Sequence, residues 1–66
     1  MRITVAQAAA MMNVSQQFVR LGLQRGVLPI GEAIQLPGSS KWTYYISPPL
    51  LAQYIGVDLS VVLDAA

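Results

Sequence analysis

Two helix-start signals dominate the N-terminal half of the sequence. Thr4 and Gln7 have the spacing of a capping box, in which the threonine hydroxyl accepts from a first-turn amide and the glutamine reaches back. Ser15 is a second typical N-cap residue, and Gly26 is typical of a helix end. Together they predict helices over residues 5–12 and 16–25, joined by a three-residue turn as in a helix-turn-helix.

Each predicted helix has a face for the core. In the first helix this face holds Val5, Ala8, Ala9 and Met12, and Met11 and Met12 are expected to be packing residues. The second helix is divided into two arcs, with Leu21 at their boundary. Its apolar arc consists of Phe18, Val19, Gly22 and Leu23. Of these, Phe18 and Val19 are expected in the core. Its polar arc consists of Gln16, Gln17, Arg20 and Gln24.

The residues after Gly26 predict a hairpin followed by a third helix. A connector over residues 27–31 leads into two strands, residues 32–36 and 41–46, separated by a Pro-Gly-Ser-Ser turn. Alternation along the second strand places Trp42, Tyr44 and Ile46 on one face, which must pack on the helices because an isolated hairpin is barely stable. Ser47 and two prolines then begin the third helix, which Gly56 ends.

The last ten residues, 57–66, form an apolar and acidic tail. Their pattern is compatible with a strand, with a short helix capped by Ser60, or with a segment that orders only on binding. Residues 1–57 carry four basic and one acidic side chain, 4 − 1 = +3, whereas residues 58–66 carry two aspartates, −2. This separation of charge predicts a self-association segment.

Composition excludes several function classes. The sequence has no cysteine and no histidine, and its acidic residues, Glu32, Asp58 and Asp64, are not spaced as a metal-binding loop. Thiol and imidazole catalysis are unavailable, so we expect no enzyme, no metal and no cofactor. No signal peptide and no membrane span is recognisable, and we expect a cytoplasmic protein. Hydrophobic residues make up 55% of the chain and charged ones 11%, against about 25% charged in ordinary domains, so some apolar surface should contact a partner.

The order of the predicted elements is that of a small winged helix, an α+β fold with a helix-turn-helix, a two-stranded hairpin wing and a third helix. Residues 3–15 resemble the first helix and turn of MerR-like and excisionase-type winged helices from phages and mobile genetic elements. Residues 14–20 look like the second, DNA-reading helix of these proteins. Residues 26–29 and 40–48 are similar to their wing and return strand. The resemblance implies a winged helix-turn-helix DNA-binding domain over residues 1–56, without catalysis.

Candidate DNA contacts lie on the polar arc and at the hairpin turn. Arg20 can pair bidentately with guanine or hold a phosphate, and Gln16 and Gln17 can read adenine edges. Lys41 lies where a wing-tip phosphate contact is expected. The candidates are Ser15, Gln16, Gln17, Arg20, Gln24, Arg25, Ser39, Ser40 and Lys41.

The resemblance implies an accessory protein that binds and bends double-stranded DNA at element ends and helps an integrase in excision. Since four basic residues give few phosphate contacts, a monomer should bind weakly, and we expect a cooperative homo-oligomer on DNA. Two alternatives remain: a phage transcription regulator on the same fold, and a protein–protein interaction module.

Overall fold

The first helix begins at the predicted capping box. The computed structural model describes residues 2–65, in which α1 spans Val5–Met12. The Gln7 amide donates to Thr4 Oγ1 at 3.0 Å, and the Thr4 amide donates to Gln7 Oε1 at 2.8 Å. Asn13 ends the helix in the left-handed conformation, with φ of 58°, which asparagine adopts more readily than most residues. The predicted bounds of the helix are confirmed.

The second helix, α2, spans Gln16–Gln24. Ser15 caps it as predicted, because its Oγ accepts from the Phe18 amide at 3.1 Å. The helix ends one residue earlier than expected: Arg25 is its C-cap, and Gly26 follows with φ of 69°. Only a short turn separates α2 from α1, so the predicted helix-turn-helix is confirmed.

The hairpin consists of β1 (Gly31–Gln35) and β2 (Trp42–Ile46), paired antiparallel. Each strand differs from its predicted bounds by one residue at one end or both. The register places Gly31 opposite Ile46 and Gln35 opposite Trp42. On β2, Trp42 and Tyr44 are half-buried and Ile46 is buried, as the alternation predicted.

The third helix, α3, spans Pro48–Ile55. Ser47 is its N-cap, and the prolines stand in the first turn, where their missing amides leave no acceptor unpaired. Gly56 ends the helix with φ of 76°, a conformation that glycine adopts at no steric cost. The predicted start and end of this helix are confirmed.

The C-terminal tail forms a helix, α4 (Leu59–Ala65). Of the three conformations compatible with the sequence, the helix is therefore observed, but the predicted cap at Ser60 is wrong. Asp58 precedes the helix, and its Oδ1 accepts from the Ser60 amide at 3.0 Å and from the Ser60 hydroxyl at 3.1 Å. Ser60 lies inside the first turn and is a donor to the cap. Val62, on the inner side of α4, is fully buried.

The Asp58 cap makes the stability of α4 depend on pH. The backbone amide of Ser60, and then its hydroxyl, hold the pKa of the Asp58 carboxyl below its ordinary value. Because the pKa is lowered in the folded state, this stabilisation is complete above the ordinary carboxyl pKa and is lost as pH falls through the folded value. We expect amide hydrogen exchange in α4, corrected for intrinsic rates, to accelerate on acidification. Asp58→Asn should keep the cap and abolish this pH dependence, and an unchanged dependence would contradict the assignment.

All six elements contribute to one core or border it. The helix-turn-helix, the wing and α3 are arranged in the predicted order, so the α+β class of a small winged helix is confirmed. The buried hydrophobic residues are Ile3, Ala8, Ala9, Val19, Leu23, Leu28, Ile30, Ile46, Leu51, Ala52 and Val62. Val5, Met11, Met12 and Tyr44 pack against this core, as expected.

Candidate nucleic-acid interface

The first two turns of α2 present a polar face to solvent. Gln16, Gln17 and Arg20 are exposed, whereas Val19 and Leu23 on the opposite side are buried. Arg20 lies one turn after Gln16, and its Nη2 donates to Gln16 Oε1 at 3.0 Å. The guanidinium keeps further N–H donors for a ligand, since it carries five in all. An arginine beside an amide can bind both a base edge and a phosphate.

Ser15 lies at the start of this face. Its Oγ is an acceptor for the helix amide of Phe18, so its own hydroxyl proton can be donated to another group. The helix amides near Ser15 also give the N-terminus of α2 a partial positive charge, which favours a phosphate there. The structure thus brings together four of the predicted contact residues at one end of α2.

Gln24 has a different environment from the other polar residues of α2. It is half-buried, and its Nε2 donates to the hydroxyl of Tyr44 at 2.6 Å. Tyr44 belongs to β2, so this hydrogen bond joins the end of the helix to the hairpin. Gln24 therefore fixes the wing relative to α2 in this structure.

Replacing Tyr44 by Phe tests this connection. The change removes the hydroxyl and leaves the half-buried Gln24 amide without that partner, which should lower the free energy of unfolding by about 1 kcal/mol. Tyr45→Phe is the matched control, because Tyr45 lies on the outer face of the same strand and is exposed. Urea denaturation followed by Trp42 fluorescence measures both variants. Equal stability of the two would show that the bond contributes nothing.

The hairpin turn carries the second group of predicted contacts. Ser39, Ser40 and Lys41 are all exposed. The Ser39 amide donates to the Leu36 carbonyl at 3.1 Å, and Ser39 Oγ accepts from the Lys41 amide at 3.1 Å. These bonds fold the turn and leave the Lys41 ammonium in solvent. The tip of the wing can therefore hold a phosphate with one cation and two hydroxyls.

The prediction that Phe18 belongs to the core is wrong. Its side chain is 51% exposed, while neighbouring Val19 is fully buried. The physical reason is the connector after α2, which crosses the helix so closely at Gly22 that an added Cβ would lie 2.9 Å from Leu28 Cβ. Leu28 fills the core at this point, and Phe18 lies outside it.

Phe18 lines a cleft between α2, the connector and α3 that the sequence interpretation missed. Its walls also include Leu21, Val27 and Tyr54, all of them exposed to solvent. Arg25, a predicted DNA contact, lies at this cleft. It is five residues after Arg20, or roughly 140° around the helix axis, so the two cations point in different directions. The structure thus groups Arg25 with the cleft and not with the polar face of α2.

Further observations concern metals, membranes and relatives. No group of three or more potential metal ligands occurs within residues 2–65. No helix in the same part of the chain has the length and apolar character needed to cross a bilayer. Comparison of the chain with protein-family models, with curated proteins and with solved structures returned no match.

Proposed function

We propose that this chain is a DNA-binding accessory protein of the excisionase type. It binds double-stranded DNA at the ends of a mobile element, cooperatively, and promotes excision by an integrase in the cytoplasm of a bacterial host. It performs no chemical step itself. In this proposal α2 enters the major groove, and the wing contacts the phosphate backbone or the minor groove.

The polar face at the N-terminal end of α2 carries the proposal. Recognition helices insert by that end, and here it combines an exposed arginine with two exposed glutamines. The opposite side of the helix is fixed to the core by Val19 and Leu23. Gln24, through Tyr44, connects the same helix to the wing that carries Lys41. One folded unit thus carries both groups of contacts.

The small number of cations supports cooperative binding. Each phosphate contact contributes about −0.9 to the slope of log K against log salt, so four basic side chains limit a monomer to about −3.6. A single copy is therefore a weak binder at physiological salt. Copies linked on neighbouring sites add their contributions.

A gel-shift titration with element-end duplex tests the proposal. We expect cooperative shifts whose midpoint rises with salt. The overall association constant for several bound copies should have a slope of log K against log salt greater than about −3.6 in magnitude, because the phosphate contacts of the copies add. Ser39, Ser40 and Lys41 replaced together by Ala should reduce that slope by about one for each bound copy. An affinity that does not change with salt concentration, or the absence of binding at low salt, would refute the DNA-binding role.

Transcription control uses the same DNA face and is distinguished by genetic context. An integrase gene beside the coding sequence supports excision, whereas a divergent promoter supports repression.

A protein–protein interaction module is the second candidate function, and the cleft beside Phe18 is the observation that favours it. Exposed apolar patches of this kind mark protein contacts. Calorimetric titration with random duplex at low salt separates this function from DNA binding, because a chain that binds only other proteins produces no heat of binding with DNA.

A further inference from the structure

The cleft between α2 and α3 has the size and chemistry of a receptor for a side chain of another protein. Its volume is about 280 Å³, just below the roughly 300–1,000 Å³ of clefts that take small-molecule ligands. Phe18, Leu21 and Tyr54 give it apolar walls, and Val27, which is 73% exposed, forms part of its edge. Among the described residues that line it, Arg25 alone is charged. A suitable occupant is therefore apolar, with an acidic group beside it.

The outer face of α4 has these properties. Val61 is 53% exposed, and it lies three residues after Asp58 and three residues before Asp64. Val61 and Asp64 are three residues apart within α4 and share one face of the helix, and Asp58 lies at its N-terminal end as the cap. Val62, about 100° further around α4, is buried in the core, whereas Val61 is exposed between two exposed aspartates in the sequence.

We propose that α4 of one copy of this chain docks in the α2–α3 cleft of a second copy. Val61 enters the apolar cleft, and the carboxylate of Asp64 pairs with Arg25 at its edge. Both surfaces are exposed in a single chain, so α4 does not fill its own cleft and the contact is made between copies. The opposite charges fix the orientation, and the apolar contact removes exposed hydrophobic area from water.

This contact joins two different surfaces, so each copy offers one of each and the association is head-to-tail. Such contacts build open chains unless the rotation closes a ring. Arg25, at the cleft, lies roughly 140° around α2 from Arg20, which leaves the Arg20 side of the helix for DNA. The interface rests on the proposed function for its purpose, because it supplies the contact that cooperative binding needs.

Two single substitutions test the interface in the absence of DNA. Val61→Glu places a carboxylate between two aspartates at the centre of the docking face, and Val27→Glu places one at the edge of the cleft. Both positions are exposed, so the fold should persist, and thermal unfolding verifies this. Ile34→Glu is the matched control: it makes the same change of charge at an exposed position on the outer face of β1.

Sedimentation equilibrium up to about 1 mM measures the association. The average mass of the wild-type chain and of Ile34→Glu should rise above the monomer mass of 7.1 kDa as the concentration increases. Val61→Glu and Val27→Glu, each measured alone, should stay at the monomer mass. An equimolar mixture of the last two should form a dimer and nothing larger, because Val27→Glu keeps an intact α4 and Val61→Glu keeps an intact cleft. A monomeric wild-type chain, variants that associate like it, or a mixture that stays monomeric would each overturn the interface. If the measured masses agree with these expectations but neither the wild-type chain nor any variant binds DNA, the interface stands and the proposed function fails.

Discussion

Alanine at position 31 should lower the free energy of unfolding by about 3 kcal/mol or more. A Cβ on Gly31 would run into the carbonyl oxygen of Tyr45 and lie 2.9 Å from Ile46 Cα. Both are backbone atoms of β2, so no side chain can rotate away, and relief requires separating the strands. Overpacking typically costs about 1–3 kcal/mol where the surroundings can adjust, and here they are held by strand pairing. A domain of this size is stable by only about 3–10 kcal/mol, so a large part of the population should unfold.

Gly38→Ala is the control for this effect. Gly38 lies in the hairpin turn, and an added Cβ there meets no atom within 4 Å, although its φ of 79° strains an alanine. That strain should cost only about 1 kcal/mol. Urea denaturation followed by Trp42 fluorescence compares the two variants. If Gly31→Ala were no less stable than Gly38→Ala, the close approach of the two strands would be disproved.

Arg20→Ala should weaken binding to a duplex selected for high affinity by about 5- to 150-fold, which corresponds to about 1–3 kcal/mol for a base-reading arginine. The fold should be unaffected, because Arg20 is exposed and the only hydrogen bond of its side chain in the described structure is the one to Gln16. The loss is expected in the specificity of binding as well as in its strength. Fluorescence anisotropy with the selected duplex and a scrambled duplex measures both.

Two matched variants separate the possible roles of Arg20. Arg20→Lys keeps the charge but cannot form the two parallel hydrogen bonds of a guanidinium, so it should lose most of the preference for the selected duplex if Arg20 reads a base. Arg25→Ala removes the same charge from the cleft side of α2 and should have a smaller effect on a duplex that holds one copy. Full binding by Arg20→Ala would exclude this residue from the interface.

Local hydrogen-bonding chemistry made the helices of this chain predictable. Thr4, Ser15 and Ser47 can cap a helix whatever the rest of the protein does, and each of them does so here. Gly56 ends α3 for an equally local reason, the positive φ that the helix end requires. The alternation of Trp42 to Ile46 likewise needed only the period of a strand to predict which side faces the helices.

Features set by the path of the chain in space were not predictable. Phe18 is next to Val19 and belongs to the same apolar arc, but the connector that packs Leu28 against Gly22 determines which of the two is buried. The tail is too short for a periodicity to distinguish helix from strand. Val62 is buried because α4 packs against α3, a contact that the sequence of the tail does not indicate. The cleft combines residues of α2, the connector and α3, so no single segment of the sequence indicates it.

Titration of the isotopically labelled protein with duplex DNA, followed by amide NMR resonances at low salt, tests the central claim most directly. If the polar face of α2 enters the groove, the largest shifts should occur at Ser15, Gln16, Gln17 and Arg20, with a second group at Ser39 to Lys41. The resonances of Glu32 and Ile34, on the outer face of β1, should move least. Stationary resonances along α2 during a titration that shifts other parts of the chain would contradict the account.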